Sequence, residues 1–186
     1  MTRTTAPVAI FVYNRADHTA RTIEHLQHNL LAAETDIYFF SDGGHDKHSW
    51  QAVNKVRALL HKVTGFKSVT IIERPCNYYV ERNVTEGIAQ VLTTHDRIIV
   101  MEDDIISSPY YLTYMNDALD YYCNDKRVMH VAGFTNLDIP QKGDTYFSPH
   151  VTGSGAWATW RDRWSHFVHY NNREEALNGL TATDIA

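Results

Sequence analysis

Glu102, Asp103 and Asp104 stand side by side in IIVMEDDIIS (98–107), with apolar runs before and after them. Like charges this close repel one another unless a shared positive partner compensates them. Hard cations such as Mg2+ and Mn2+ take oxygen ligands, and bind through one or two carboxylates completed by substrate phosphates. Arginines make charge-assisted contacts to the same phosphates. The chain offers such residues repeatedly: Asn14-Arg15, Ser41-Asp42-Gly43-Gly44, Glu73-Arg74 and the acidic triplet each follow an apolar run. Any one of them is an ordinary polar strand end. Brought together, they form a site for a phosphate-bearing ligand and a divalent cation. Neither GxGxxG nor the lysine-bearing phosphate loop is present, and Gly43-Gly44 follows the second apolar run, the wrong place for a dinucleotide fingerprint.

Such a site needs elements that carry the four clusters to one rim. VAIFVYN (8–14), DIYFFSDGG (36–44), SVTIIERP (68–75), RIIVMED (97–103) and VMHVAGF (128–134) read as strands. Helical period appears between them. Ile23, Leu26, Leu30 and Leu31 follow an N-cap at Asp17, and Val53, Val56, Leu59, Leu60 and Val63 form a second stripe. Val84, Ile88, Val91 and Leu92 mark a helix over 79–94, and Leu112, Met115 and Leu119 a helix opened by Ser108-Pro109. This alternation predicts an α/β fold, a Rossmann-like, mostly parallel twisted sheet with helices on both faces. Open parallel sheets bind ligands beyond the carboxyl ends of their strands, which is where all four clusters fall.

The 186 residues fit one domain, and no repeat, linker or low-complexity stretch divides 1–186. A composition 44% hydrophobic and 21% charged excludes disordered and fibrous chains. The net charge of −5 argues against nucleic acid or an anionic membrane surface as partner. No apolar run approaches the roughly 20 residues of a membrane span, and MTRTTAPVAIFVYNR lacks the apolar core and cleavage site of a secretory signal. The expectation is a cytoplasmic protein in which Cys76 and Cys123 are reduced and mostly buried. In that setting the sequon Asn83-Val84-Thr85 carries no weight.

VMEDDIISSPYYLTYMNDAL (100–119) resembles the segment around the DxD-type motif of glycosyltransferases with the GT-A fold. The likeness is to the N-acetylglucosaminyltransferase I group and its bacterial relatives, in which E-D-D at a strand end precedes a helix opened by a small residue, Pro and aromatics. PVAIFVYNRADHT (7–19), SDGGHD (41–46) and GSGAWATWRDRW (153–164) agree in order and spacing, so the resemblance covers most of 7–165. It implies a GT-A-like fold, a UDP-sugar donor, Mn2+ or Mg2+ as cofactor, and a glycan or lipid-linked acceptor. By the same resemblance, Arg15 contacts the diphosphate, Asp42 hydrogen-bonds the uracil, and Gly43 leaves room for the base. Glu102 and Asp103 address ribose and sugar, and Asp104 is the direct metal ligand. The implied activity is inverting hexosyl transfer, of the N-acetylglucosaminyltransferase kind.

Other residues invite weighing. Arg82 and Asn83 open the helix after the third strand and either reach phosphate or sugar or lie on an exposed face. His45 and His48 form an H-x-x-H pair without a further local ligand, which reads as solvated loop. Trp157, Trp160 and Trp164 recur at i, i+3 and i+7, the spacing of a buried helical stripe. The resemblance implies that Trp157 or Trp160 walls the sugar pocket. An inverting transferase needs a carboxylate as general base, and the resemblance puts it downstream of the tryptophans. Only Asp162 and Glu174 have any claim there, neither in a matching motif. Either the chain is truncated at its C-terminus or the base lies elsewhere. The alternative to an enzyme is a non-catalytic or incomplete nucleotide-sugar-binding domain. A nucleotidyltransferase would want a glycine- and basic-rich loop after the first strand, and NRADHT is not one.

Overall fold

The computed structural model describes residues 4–134, 155–170, 174, 175 and 178. Six strands form one sheet: β1 (Val8–Val12), β2 (Asp36–Ser41), β3 (Ser68–Glu73), β4 (Arg97–Glu102), β5 (Val131–Ala132) and β6 (Ala156–Trp160). Helices α1 (Ala16–Gln27), α2 (Lys47–Leu60), α3 (Tyr79–Leu92), α4 (Tyr111–Tyr121) and the short α5 (Arg161–Trp164) connect or flank them. The strand order is β3-β2-β1-β4-β6-β5. The first four strands are mutually parallel where they pair, and β6 and β5 are antiparallel additions.

Both sheet faces are covered, which is why β1 is buried at every position and reads as an unbroken apolar run. On one face, Val8, Ile10, Ile37, Phe39, Ile99 and Met101 pack with Ile23 and Leu26 of α1, Val56 and Leu60 of α2, and Leu112, Met115 and Leu119 of α4. On the other, Ala9, Phe11, Phe40, Ile98 and Val100 meet Ile88, Val91 and Leu92 of α3. Each such large side chain contributes about 1.5–3 kcal/mol by leaving water. Right-handed crossovers explain the division. The chain steps from β1 to β2 to β3 in one direction, with α1 and α2 on one face. It then returns past β1 to β4, which puts α3 on the opposite face.

Several local expectations are corrected. Arg15, not Asp17, is the N-cap of α1, without a side-chain cap, and Asp17 lies in the first turn. Helix α4 begins at Tyr111 rather than at Ser108-Pro109; the Ser108 hydroxyl instead accepts from the Tyr110 N–H at 3.3 Å. The fifth strand shrinks from 128–134 to Val131–Ala132, and among the described residues it pairs only with β6. The largest correction concerns the tryptophans: Trp157 and Trp160 lie on a strand, and only Trp164 is helical. Strand β6 lies antiparallel against β4, from Arg97↔Trp160 to Met101↔Ala156, so that β4 becomes an interior strand. Cys76 is exposed and Cys123 half-buried, both free thiols, where burial was expected. Among the described residues no helix is long and apolar enough to cross a membrane.

Candidate functional site

Strand order reverses at β1, whose neighbours are β2 on one side and β4 on the other. Such a switch point opens a crevice at the carboxyl ends of the strands, because the flanking connections leave in opposite directions. Phe11 of β1 and Glu102 of β4 are register partners, so the two strands deliver Arg15 and the acidic triplet to the same edge. A cavity of about 540 Å³ lies there, its lining including Tyr13, Asn14, Arg15, Asp42, Tyr79, Asn83, Glu102 and Asp103. Phe11 and Phe40 stack at 5.1 Å between ring centres beneath it. Gly87 lets α3 press onto them: a side chain there would meet the Phe11 ring at 2.6 Å.

Arg15 joins the two strands electrostatically. One guanidinium nitrogen donates to Asp103 Oδ1, and the other pairs with Asp104 Oδ2 at 3.0 Å. Asp103 is 4% exposed; its carbonyl accepts from the Thr22 hydroxyl at 2.9 Å, yet its Oδ2 is buried without any partner. A buried carboxylate oxygen left unpaired is costly and calls for an explanation. Burial, then the charges of Asp104 and Asp103, raise the pKa of Glu102, with Arg15 only partly opposing them. Three carboxylates facing one guanidinium leave an excess of negative charge. Asp103 and Asp104 therefore fit a hard divalent cation. Among the described residues no group of three or more His, Cys, Asp or Glu is arranged to hold a metal, so such a cation would draw its remaining ligands from phosphate and water.

Asp42, 5% exposed, stands at the end of β2. Its Oδ1 accepts from the N–H groups of Gly43, at 2.8 Å, and Tyr78, at 2.7 Å, tying the end of β2 to the start of α3. Gly43 was expected to leave room for a base. The structure gives it a nearer neighbour: a Cβ there would lie 2.4–2.6 Å from the backbone of Cys76. Asn83 is buried rather than on an open face; its Oδ1 accepts from Arg74 Nε at 3.0 Å while it also lines the cavity. Arg82 is more exposed, pairing with Glu86 at 2.7 Å and lying over the Tyr78 ring at 3.9 Å. His45 and His48 are both exposed, as expected, but only His45 lies in the loop, where it lines the cavity; His48 falls in the first turn of α2.

Neither tryptophan borders this cavity. Trp157 packs on the α3 face near Trp164 at 6.1 Å. Trp160 faces the opposite core, donates to the Leu119 carbonyl at 3.2 Å and carries the Arg163 guanidinium at 4.3 Å. Asp162 is exposed and held by Lys126 and Arg163, which pull its pKa down to about 2. Glu174 is exposed.

Sequence reasoning assigned none of Arg57, Asn77 and Tyr79 to the site. Arg57 of α2 donates to the Arg74 carbonyl at 2.7 Å and to Ser41 Oγ at 3.2 Å, pairs with Glu73 at 3.1 Å, and stacks on Trp50 at 5.0 Å. It thereby holds the ends of β2 and β3 together. Its signal was present: it follows the buried Val53 by four residues, so it shares the inward helix face. Asn77 donates from Nδ2 to the Gly43 carbonyl at 2.9 Å and accepts from the Tyr79 N–H at 3.0 Å. Tyr79 adopts φ 60°, a left-handed conformation that costs a non-glycine residue roughly 1–2 kcal/mol. Nothing in the sequence marks it.

A mostly parallel sheet with helices on both faces and a cavity bearing charged residues at its switch point is the arrangement in which α/β proteins bind ligands. The sequence profile of glycosyl transferase family 2 matches residues 8–169, and the chain belongs to that family. Its fold is that of GT-A glycosyltransferases. Among solved structures it is similar to "Mannosyltransferase PcManGT from Pyrobaculum calidifontis in complex with GDP-Man and Mn2+", at 12% identity and a TM-score of 0.48. The match covers 71% of this chain and 36% of that one. No curated protein matches the chain.

Proposed function

We propose that the chain is a metal-dependent glycosyltransferase that moves a sugar from a UDP-sugar to a glycan or lipid-linked acceptor with inversion. The observation that carries the reading is Asp103: a buried carboxylate tied to Arg15 across the switch point, with Oδ2 unpartnered beside Asp104. Membership of a glycosyltransferase family supports the transfer chemistry. The N-acetylglucosaminyltransferase I likeness remains the reason for expecting an N-acetylhexosamine or related hexose.

In this reading Arg15 turns from its two carboxylates toward the donor diphosphate, and Asp104 with Asp103 Oδ2 holds Mn2+ or Mg2+. The cation, when bound, neutralises charge growing on the departing diphosphate. Asp42 accepts a hydrogen bond from the base, and Glu102, at the inner end of the triplet, addresses the ribose or sugar hydroxyls. Arg57 and Asn77 keep Asp42 in position through the strand ends they bind. Asn83, buried against Arg74, braces the wall on which the sugar rests. The test is release of UDP from a panel of UDP-sugars, with and without Mn2+. A chain that binds the donor but releases no UDP is instead a non-catalytic nucleotide-sugar-binding domain.

Base recognition has its own outcome. A carboxylate accepts from uracil N3–H, while cytosine N3 offers no donor. UDP is expected to bind roughly ten- to a hundredfold more tightly than CDP, the cost of an unpaired buried polar group being about 1–3 kcal/mol. Changing the ligand spares the bonds from Asp42 to Gly43 and Tyr78. Equal affinities for UDP and CDP in a competition titration would remove Asp42 from this role.

Asp162 gives a contrasting expectation. A carboxylate with pKa near 2, engaged by Lys126 and Arg163, is a poor proton acceptor at neutral pH. Asp162→Ala should leave the rate of UDP release at its wild-type level. Loss of a general base typically costs roughly 10²–10⁴-fold, so a hundredfold fall in kcat would restore Asp162 as the base.

A further inference from the structure

We propose that Tyr79 covers the nucleobase of the bound nucleoside diphosphate, its ring stacking on the base that Asp42 reads. This rests on the donor-site reading and adds to it an aromatic determinant of binding. Among the described residues Tyr79 is the one non-glycine with positive φ, at 60°. Glycine would relax there, and a side chain persists at such a position only when the surroundings hold it and something uses it. Packing does not use it, since Tyr79 is 66% exposed. The adjacent Tyr78 shows what a structural tyrosine looks like here: Arg74 and Arg82 lie over its ring at 4.9 and 3.9 Å. Tyr79 instead lines the cavity, together with Asp42.

The bonds that fix Asp42 also fix Tyr79. Asp42 Oδ1 accepts from the Tyr78 N–H at 2.7 Å, and Asn77 bridges the Gly43 carbonyl, at 2.9 Å, to the Tyr79 N–H, at 3.0 Å. The chain then turns left-handed at Tyr79 to enter α3, and the exposed Tyr79 side chain lines the same cavity as the carboxylate. Its ligand class is a planar heteroaromatic base. Every base has a π-face, so the ring supplies affinity with little selectivity, and Asp42 supplies the selectivity.

The experiment is calorimetry of the full chain, wild type, Tyr79→Gly and Tyr79→Phe, with UDP and with inorganic pyrophosphate as a base-free probe, all in Mg2+. Stacking predicts that Tyr79→Gly weakens UDP roughly five- to a hundredfold, that Tyr79→Phe keeps wild-type affinity, and that neither change alters pyrophosphate binding. Tyr79→Gly should also unfold no earlier than wild type, because glycine relieves the strained φ. Wild-type UDP affinity in Tyr79→Gly overturns the proposal, as does a parallel loss of UDP and pyrophosphate, which would mean that the loop has collapsed. A wild-type chain that binds no nucleoside diphosphate overturns the donor-site reading and this proposal with it, and that failure is recognised in the wild type itself.

Discussion

Asp104→Asn is expected to reduce UDP affinity in Mn2+ to the level measured in EDTA, a fall of roughly a hundredfold. Partners that merely orient a metal ligand are worth about 10–100-fold, and a carboxylate that binds the ion directly stands at the top of that range. The variant should nevertheless remain folded. Its pair with Arg15 spans 3.0 Å between side chains 46% and 36% exposed, an interaction worth at most about 1 kcal/mol. Against that small loss stands a relief. Glu102 has a raised pKa, from burial first and the charges of Asp104 and Asp103 next. An acid whose folded pKa lies above its unfolded one binds more protons when folded, so stability declines as pH rises through that window. At neutral pH ionised Glu102 therefore costs stability, and removing the Asp104 charge lowers that cost. The combined expectation is thermal stability within about 1 kcal/mol of wild type in EDTA, together with loss of the stabilisation that Mn2+ and UDP give the wild type. Calorimetry and thermal melts, each with and without chelator, read both. Equal UDP affinity in Mn2+ and EDTA for the wild type, or an unimpaired variant, would remove the metal from this site.

That site was legible in sequence as far as local pattern carries. Parallel strands buried on both faces announce themselves as apolar runs, so β1, β2 and β4 were readable, and with them the rim where Arg15, Asp42 and the triplet meet. Strand β3, an edge strand with no fully buried residue, was readable instead from its β-branched run stopped by Pro75. The meeting of Arg15 with Asp103, 88 positions apart, followed from topology rather than from either neighbourhood. Strand β6 failed for the complementary reason. AWATW followed by RDRW has tryptophans at helical spacing, and what makes the first half a strand is the unpaired edge of β4, a tertiary fact. Tyr79 was invisible because its conformation is imposed by Asn77 and Asp42 on either side of the loop. Arg57 could have been found, since an arginine on an inward helix face requires buried acceptors, and the carbonyl ends of β2 and β3 provide them.

Gly43→Ala should lower both stability and binding. The added Cβ would lie 2.4, 2.5 and 2.6 Å from the C, O and Cα of Cys76. These are backbone atoms and cannot swing aside as a side chain would. Relief requires the end of β2 to part from the segment carrying Cys76 to Tyr78. The bonds that cross this seam are those that organise the cavity: Tyr78 N–H to Asp42 Oδ1 at 2.7 Å and Asn77 Nδ2 to the Gly43 carbonyl at 2.9 Å. Overpacking of a close-packed site costs roughly 1–3 kcal/mol, and about 1 kcal/mol moves the melting temperature of a domain this size by roughly 2–4 °C. UDP affinity should fall as well, because Asp42 and Tyr79 are displaced together. Gly65→Ala separates this from ordinary glycine strain. Gly65 has φ 88° but open surroundings, its nearest neighbours being Gln27 atoms at 3.7 Å. Alanine there costs about 1 kcal/mol through backbone conformation alone and touches nothing near the cavity, so it should lower the melting temperature while leaving UDP affinity intact. Melts and UDP titrations of the two variants decide the matter. Wild-type UDP affinity in a destabilised Gly43→Ala would show that the seam is structural only, and wild-type values of both would show that the contact with Cys76 yields without cost.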